Sequence, residues 1–343
     1  MRRRTRYSLL LMAALVVALV VAVVLRKKAP PEAARLLPES DAILYINVKP
    51  LRLATHFDRN PVARSPEYQQ FVDATGIVPE RDLDEVALAL HRMDDPHGPN
   101  GPVAYSEVFE GRFDGDKLQR YLTSVATARE TYAGHEIFTI SIDDPESGAK
   151  RQLRVAQLGY DTIAASNMPT AEQIHSMLDR HRAAASPFAG SSLLAEWYSD
   201  VPLLSSAWAI GQVGLPFSES GRITVLGMQL PLAEDTTFVA SLRYVGALHL
   251  RIEQIAPTEA DAERSAQALD GLLGVFKSLE KIRADVPGSP AVAQMVALGQ
   301  VIDSLKVEQH KDRAVVTATI PTSLLQQMAS PMGQPANPSG ASH

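Results

Sequence analysis

The chain has 343 residues, 45% of them apolar, with 33 Lys and Arg against 39 Asp and Glu and no cysteine. That length can bury one large core or two ordinary ones, which excludes global disorder, and the missing cysteine excludes disulfides, thiol nucleophiles, thiolate metal sites and an acylated lipoprotein cysteine. Seven of the bases and none of the acids lie in residues 1–28, leaving the remainder near −13; so acidic a remainder, without a basic patch interleaved with aromatics, disfavours nucleic acid and anionic headgroups as partners.

In chain order, the first feature is the uncharged run SLLLMAALVVALVVAVVL, residues 8–25. As a helix at ~1.5 Å per residue it is about 27 Å long, close to the hydrocarbon thickness of a bilayer. Arg26, Lys27 and Lys28 follow directly. A cleaved signal has a shorter apolar stretch and small residues before the cut, so an uncleaved signal anchor is favoured. The basic residues on its two sides nearly balance. Retaining an arginine-dense tail inside is easier than exporting it, which puts the amino terminus in the cytoplasm and the large domain outside the inner membrane.

Residues 29–40, with adjacent Pro30 and Pro31, read as a short stiff linker. AILYINV, residues 42–48, reads as a strand covered on both faces. Ser65, Pro66 and Gly76 are the N-cap, first helical position and stop of a helix.

From there a pair of strands followed by a capped helix recurs four times. In the first unit DEVALALH and AYSEVFEGRF enclose a polar loop, and Asp114 caps a helix whose Leu118, Tyr121, Leu122 and Val125 share a face. Asp114 and Asp116 thereby serve the helix amides and dipole, while DGDKLQRYLTSV lacks the further oxygens and closing glutamate of a calcium loop. The second unit pairs RQLRVAQL with DTIAAS, after which Asn167 or Thr170 opens a helix carrying Ile174, Met177 and Leu178. In the third, TTFVASLRY turns at Val245 and Gly246 into ALHLRIEQI, and Thr258 with Asp261 forms a capping box. The fourth pairs SLKVEQHK with RAVVTATI around Lys311 and Asp312, with a helix beginning at Pro321 or Thr322.

These units predict an α+β fold: an N-terminal transmembrane helix followed by antiparallel sheets built from repeated hairpin-plus-helix units, with helices mostly on one face. The expected divisions are a tail and anchor at 1–28, the linker at 29–40, a first half at 41–218, a second half at 219–328 and a disordered tail at 329–343. Whether the halves form separate domains or one continuous sheet stays open.

Candidates for chemistry are sparse. Ser278 and Lys281 have an S-x-x-K spacing but lie late in a helix without companion motifs, which reads as a solvated face. His135 and Glu136, with Ser141, could supply a nucleophile and base only by converging in space; Asp143, Asp144, Pro145 and Gly148 read as turn residues. Histidine spacing suggests no zinc site, and no nucleotide-binding loop or nucleophile elbow occurs. No catalytic, cofactor or metal residue is therefore assigned. The irregular middle is the richest non-periodic apolar region, with Trp197, Trp208, Phe217, Val225 and Met228. These five are the candidate surface for an apolar ligand or an envelope partner protein, against the alternative that they fill the core.

The basic tail and span, LLPESDAILYINVKPLR, GRFDGDKLQRYL and AASNMPT together resemble uncharacterised bacterial membrane-anchored envelope proteins with a domain of unknown function. The resemblance runs from about Leu36 to Met328 and implies a membrane-tethered extracytoplasmic domain with no assigned activity. The expected role is a non-catalytic binding or scaffold module. An extracytoplasmic serine-type hydrolase assembled from distant segments is the alternative.

Overall fold

The structure is a computed structural model and describes residues 29–55, 58, 65–98, 100–143, 150–183, 190–212, 224–225, 228–229, 236–284 and 299–321. The span expected at 8–25, the turn residues 144–148, the helix expected from Thr322 and the tail 329–343 lie outside the described residues. Among the described residues no helix is long and apolar enough to cross a membrane.

The fold is α+β around a 12-stranded sheet in which every pairing is antiparallel. Its strands are β1 (Ala42–Asn47), β2 (Leu83–Arg92), β3 (Val103–Gly111), β4 (Ala128–Tyr132), β5 (His135–Asp143), β6 (Lys150–Gln157), β7 (Thr162–Ser166), β8 (Ala207–Gln212), β11 (Thr237–Tyr244), β12 (Leu248–Ile255), β13 (Lys306–His310) and β14 (Arg313–Ile320). The two-residue strands β9 (Thr224–Val225) and β10 (Met228–Gln229) pair with each other apart from it. The order across the large sheet is β13-β14-β12-β11-β8-β1-β2-β3-β7-β6-β5-β4. Strands β8 and β11 flank the division expected between residues 218 and 219 and pair directly, so one sheet runs through both halves.

The helices are α1 (Glu32–Leu36), α2 (Val48–Thr55), α3 (Pro66–Thr75), α4 (Pro79–Asp82), α5 (Gly115–Val125), α6 (Glu172–Arg182), α7 (Ser192–Trp197) and α8 (Glu259–Ala284). Several start where the sequence signals them. The Ser65 side chain accepts from the Tyr68 amide and Asp114 from the Lys117 amide, while Gly76 closes α3 at φ 72°. Thr258 and Asp261 form their reciprocal pair at the start of α8. Helix α6 differs: it begins without a side-chain cap, and the Asn167 side-chain Oδ1 instead accepts from the Tyr105 amide at 2.6 Å.

Helices cover both faces of the sheet, not mostly one. Alternate residues of a strand point to opposite faces. On one face Val108, Ile137, Ala156 and Ala164 pack with Ala33, Leu36, Ile174 and Met177, beneath α1 and α6. On the other, Phe138, Val155, Ile163 and Ala165 pack with Ile77, Leu118 and Leu122 beside α3 and α5. Helix α8 lies on this second face, where Ser265 meets the amide of Gln254, the residue between inward-facing Glu253 and Ile255.

The largest correction concerns residues 29–40. The expected linker contains α1, and Ala33, Ala34, Leu36 and Leu37 are each at most 1% exposed. Small Ala87, Ala89 and Ala164 on the sheet, all fully buried, leave room for this short helix to lie close against the strands. Glu39 fixes its far side: its carboxylate accepts from Arg180 at 2.9 Å and from the Ser192 amide at 2.8 Å, joining the segment to α6 and α7.

Candidate functional site

The floor of the site follows from strand register. Tyr45 of β1 lies opposite Trp208 of β8, so their side chains share a face and their rings stack with centroids 5.4 Å apart and planes 23° apart. Tyr198, from the 3-10 turn that extends α7, meets Trp208 edge-on at 5.3 Å and 66°. Such offset and edge-on pairs are favoured by the ring quadrupoles. Tyr45 and Trp208 are 3% and 2% exposed. Burial, with Glu85 beside it, pushes the Tyr45 hydroxyl well above its ordinary range, keeping it neutral.

Above this floor opens a cleft of about 660 Å³. Its walls are Leu194 and Ala195 of α7, the segment from Tyr198 to Ser205, and Pro30 with Pro31 just ahead of α1. Pro31 has φ −54° and ψ 151°, the extended polyproline geometry. The lining mixes apolar and aromatic side chains with polar groups, among them Ser199, Asp200, Ser205 and the tyrosines, a composition that suits a largely apolar ligand oriented by several polar contacts.

One wall is held by ions. The Arg313 guanidinium bonds Glu253 at 3.0 Å and Asp200 at 3.2 Å, tying the 3-10 turn to β12 and β14; Arg251 holds the other Glu253 oxygen at 2.7 Å. Arg313→Ala is expected to cost about 1 kcal/mol, since Glu253 keeps Arg251 and the cluster is partly solvated. Hydrogen exchange should accelerate selectively in residues 198–205, and unchanged protection there would show that the ion cluster does not hold the wall.

Of the five residues expected to form the site, Trp208 is the cleft floor and Trp197 packs partly buried against the same core. The side chains of Phe217, Val225 and Met228 lie outside the described residues. Tyr198 belongs to the same apolar stretch of sequence as Trp197, whereas Tyr45 and the two prolines were not legible as site residues, because only cross-strand register and the path of the linker bring them to Trp208.

The residues considered for chemistry do not converge. The Ser278 hydroxyl donates to the Gly274 carbonyl at 2.8 Å on an exposed turn of α8. His135 and Ser141 occupy one extended strand, about 20 Å apart at ~3.3 Å per residue, and the His135 Nδ1 contacts the Gln157 carbonyl oxygen at 3.0 Å. A different pair does meet: His91 Nε2 lies 2.9 Å from the Ser106 hydroxyl, itself 3.1 Å from Ser166. Ser106 is fully buried and borders no cleft described for these residues, so the contact pins β2, β3 and β7. Burial holds His91 below the usual histidine range despite the nearby Asp41 charge.

No family model matches the chain, and no curated protein matches it. Among solved structures it is similar to crystal forms of TP0453. Form III shares 10% identity over 88% of this chain and 99% of that one, with a TM-score of 0.44. Form IV shares 11% over 87% and 95%, also at 0.44, and form I shares 10% over 88% and 98%, at 0.42.

Proposed function

We propose that this is a non-catalytic, membrane-anchored envelope protein whose extracytoplasmic domain binds an apolar ligand in the Tyr45–Trp208 cleft. The cleft carries the reading: its volume and stacked aromatic floor suit an apolar guest. The anchor is residues 8–25, uncharged and long enough to span a bilayer, with the amino terminus in the cytoplasm and the domain outside the inner membrane. The resemblance to membrane-anchored envelope proteins of unknown function agrees with this placement.

The test is to obstruct the cleft without touching its floor. Ala195 is exposed on the cleft wall, so Ala195→Trp should fill the mouth and leave folding intact. Full-length protein extracted in mild detergent should carry an apolar small molecule detectable by mass spectrometry, reduced at least several-fold in the variant. Equal recovery from both would overturn the cleft as the binding site. A partner protein co-purifying with both, and no small molecule with either, would favour a protein-docking role instead.

A further inference from the structure

The ends of the central strands differ in what they expose. Strand β1 finishes, β2 starts, β8 starts and β11 finishes at one end of the sheet. Seven of the nine exposed large apolar side chains among the described residues stand at that end, six of them on these four strands and their flanks: Leu51 and Leu53 on α2, Leu203 and Leu204 ahead of β8, Tyr244 closing β11 and Val245 after it; the seventh, Tyr160, precedes β7. Neighbouring strands are ~4.8 Å apart, so the group on these four strands spans about 15 Å. Isolated exposed apolar residues are ordinary, but a cluster on one surface marks a contact.

The tip at Leu203 and Leu204 is doubly unfavourable in water. The Ser205 amide bonds the Pro202 carbonyl, and the Ser205 hydroxyl reinforces it at 2.7 Å. Leu204 occupies the third position of this turn at φ 65°, a conformation that favours glycine or asparagine. It is nevertheless leucine, and 84% exposed. A strained backbone presenting a bare apolar side chain points to function over stability.

The path of the chain says what covers the cluster. Pro30 and Pro31 line the cleft beside Leu203 and Leu204, so the chain reaches the fold at this same end. Only five positions separate Leu25, the last residue of the uncharged run, from Pro30. Fully extended they reach at most about 18 Å. Resting on the anchor reading above, we infer that this end of the sheet seats on the bilayer, with the Leu203–Leu204 turn and its apolar neighbours inserted among the lipid headgroups. The domain is acidic, so apolar insertion and not charge attraction makes the contact, and the mouth of the cleft opens against the lipid surface.

The cysteine-free sequence makes the test direct. Leu53→Cys, Leu204→Cys and Val245→Cys each supply one thiol for a fluorophore on the full chain, reconstituted in phosphatidylcholine vesicles containing nitroxide-labelled lipid. His97→Cys, exposed in the loop joining β2 and β3 at the opposite end, is the reference. All four positions are exposed, so the variants should fold. Labels at 53, 204 and 245 should be quenched several-fold more than the label at 97. Equal quenching at all four, with the chain retained by the vesicles, would overturn the seating and leave the anchor standing. A chain that does not stay with the vesicles would overturn both.

Discussion

Leu36→Ala should lower the unfolding free energy of the full chain by about 3 kcal/mol, within the usual 2–5 kcal/mol for emptying a well-packed leucine site. Leu36 is 1% exposed and belongs to the principal core with Ile43, Ala87 and Val108. Leu53→Ala, at a side chain 75% exposed, should change stability by no more than a few tenths of a kcal/mol. Denaturant unfolding in mild detergent checks both, and equal midpoints would restore the linker reading of residues 29–40. Because α1 is a core element, the anchor proposed above would be mechanically continuous with the domain. From Ala29 the chain passes directly into these five helical residues, and the membrane seating proposed above rests on that path.

The contrast between α1 and the hairpins explains what the sequence revealed. Hairpins such as β11–β12 announced themselves through alternation, a Val-Gly turn and the Thr258–Asp261 box, all interactions within a few residues. Helix α1 is five residues flanked by prolines, too short to show a helical period, and its burial depends on Ala87, Ala89 and Ala164 in distant strands. Strand β4 was missed because ARETY is an edge strand with four exposed residues; its one local signal was the turn at Ala133 and Gly134, with φ 51° and 85°. The same limit governed the cleft. Trp208 stood out as a large aromatic in a strand, but Tyr45 is its partner only because β1 and β8 pair in one particular register. Helices on both faces were likewise hidden: each amphipathic helix showed that it had a buried side, not which side of the sheet would receive it.

Glu110→Gln is expected to stabilise the fold at alkaline pH and do nothing at acid pH. Glu110, near the end of β3, accepts a hydrogen bond from the Ala33 amide in the first turn of α1, where a helix favours an anion. Burial nevertheless dominates, and with the negative charges of Glu85, Glu32 and Asp161 around it the carboxyl is pushed from 4.5 up to about 7; one of its oxygens is buried without a partner. The folded chain therefore holds a proton that the unfolded chain has released between pH ~4.5 and ~7. Because the native state binds more protons there, stability falls as pH rises through that window, and the deficit is complete above it. The full shift corresponds to about 3 kcal/mol, and solvent screening of this partly buried group reduces it to ~2 kcal/mol. Glutamine keeps the acceptor for Ala33 and removes the ionisation, so the two unfolding curves should coincide below pH ~4.5 and separate to a constant gap above pH ~7. His91 and His181, both held below the usual histidine range by burial, are present in both chains, so the difference between curves isolates Glu110. Curves that ran parallel across the whole range would mean that Glu110 is already ionised in the native state and that its bond to α1 is an ordinary charged cap. A gap opening through that window would instead show that the fold is held most firmly at acid pH, through a buried carboxyl where α1 meets the sheet.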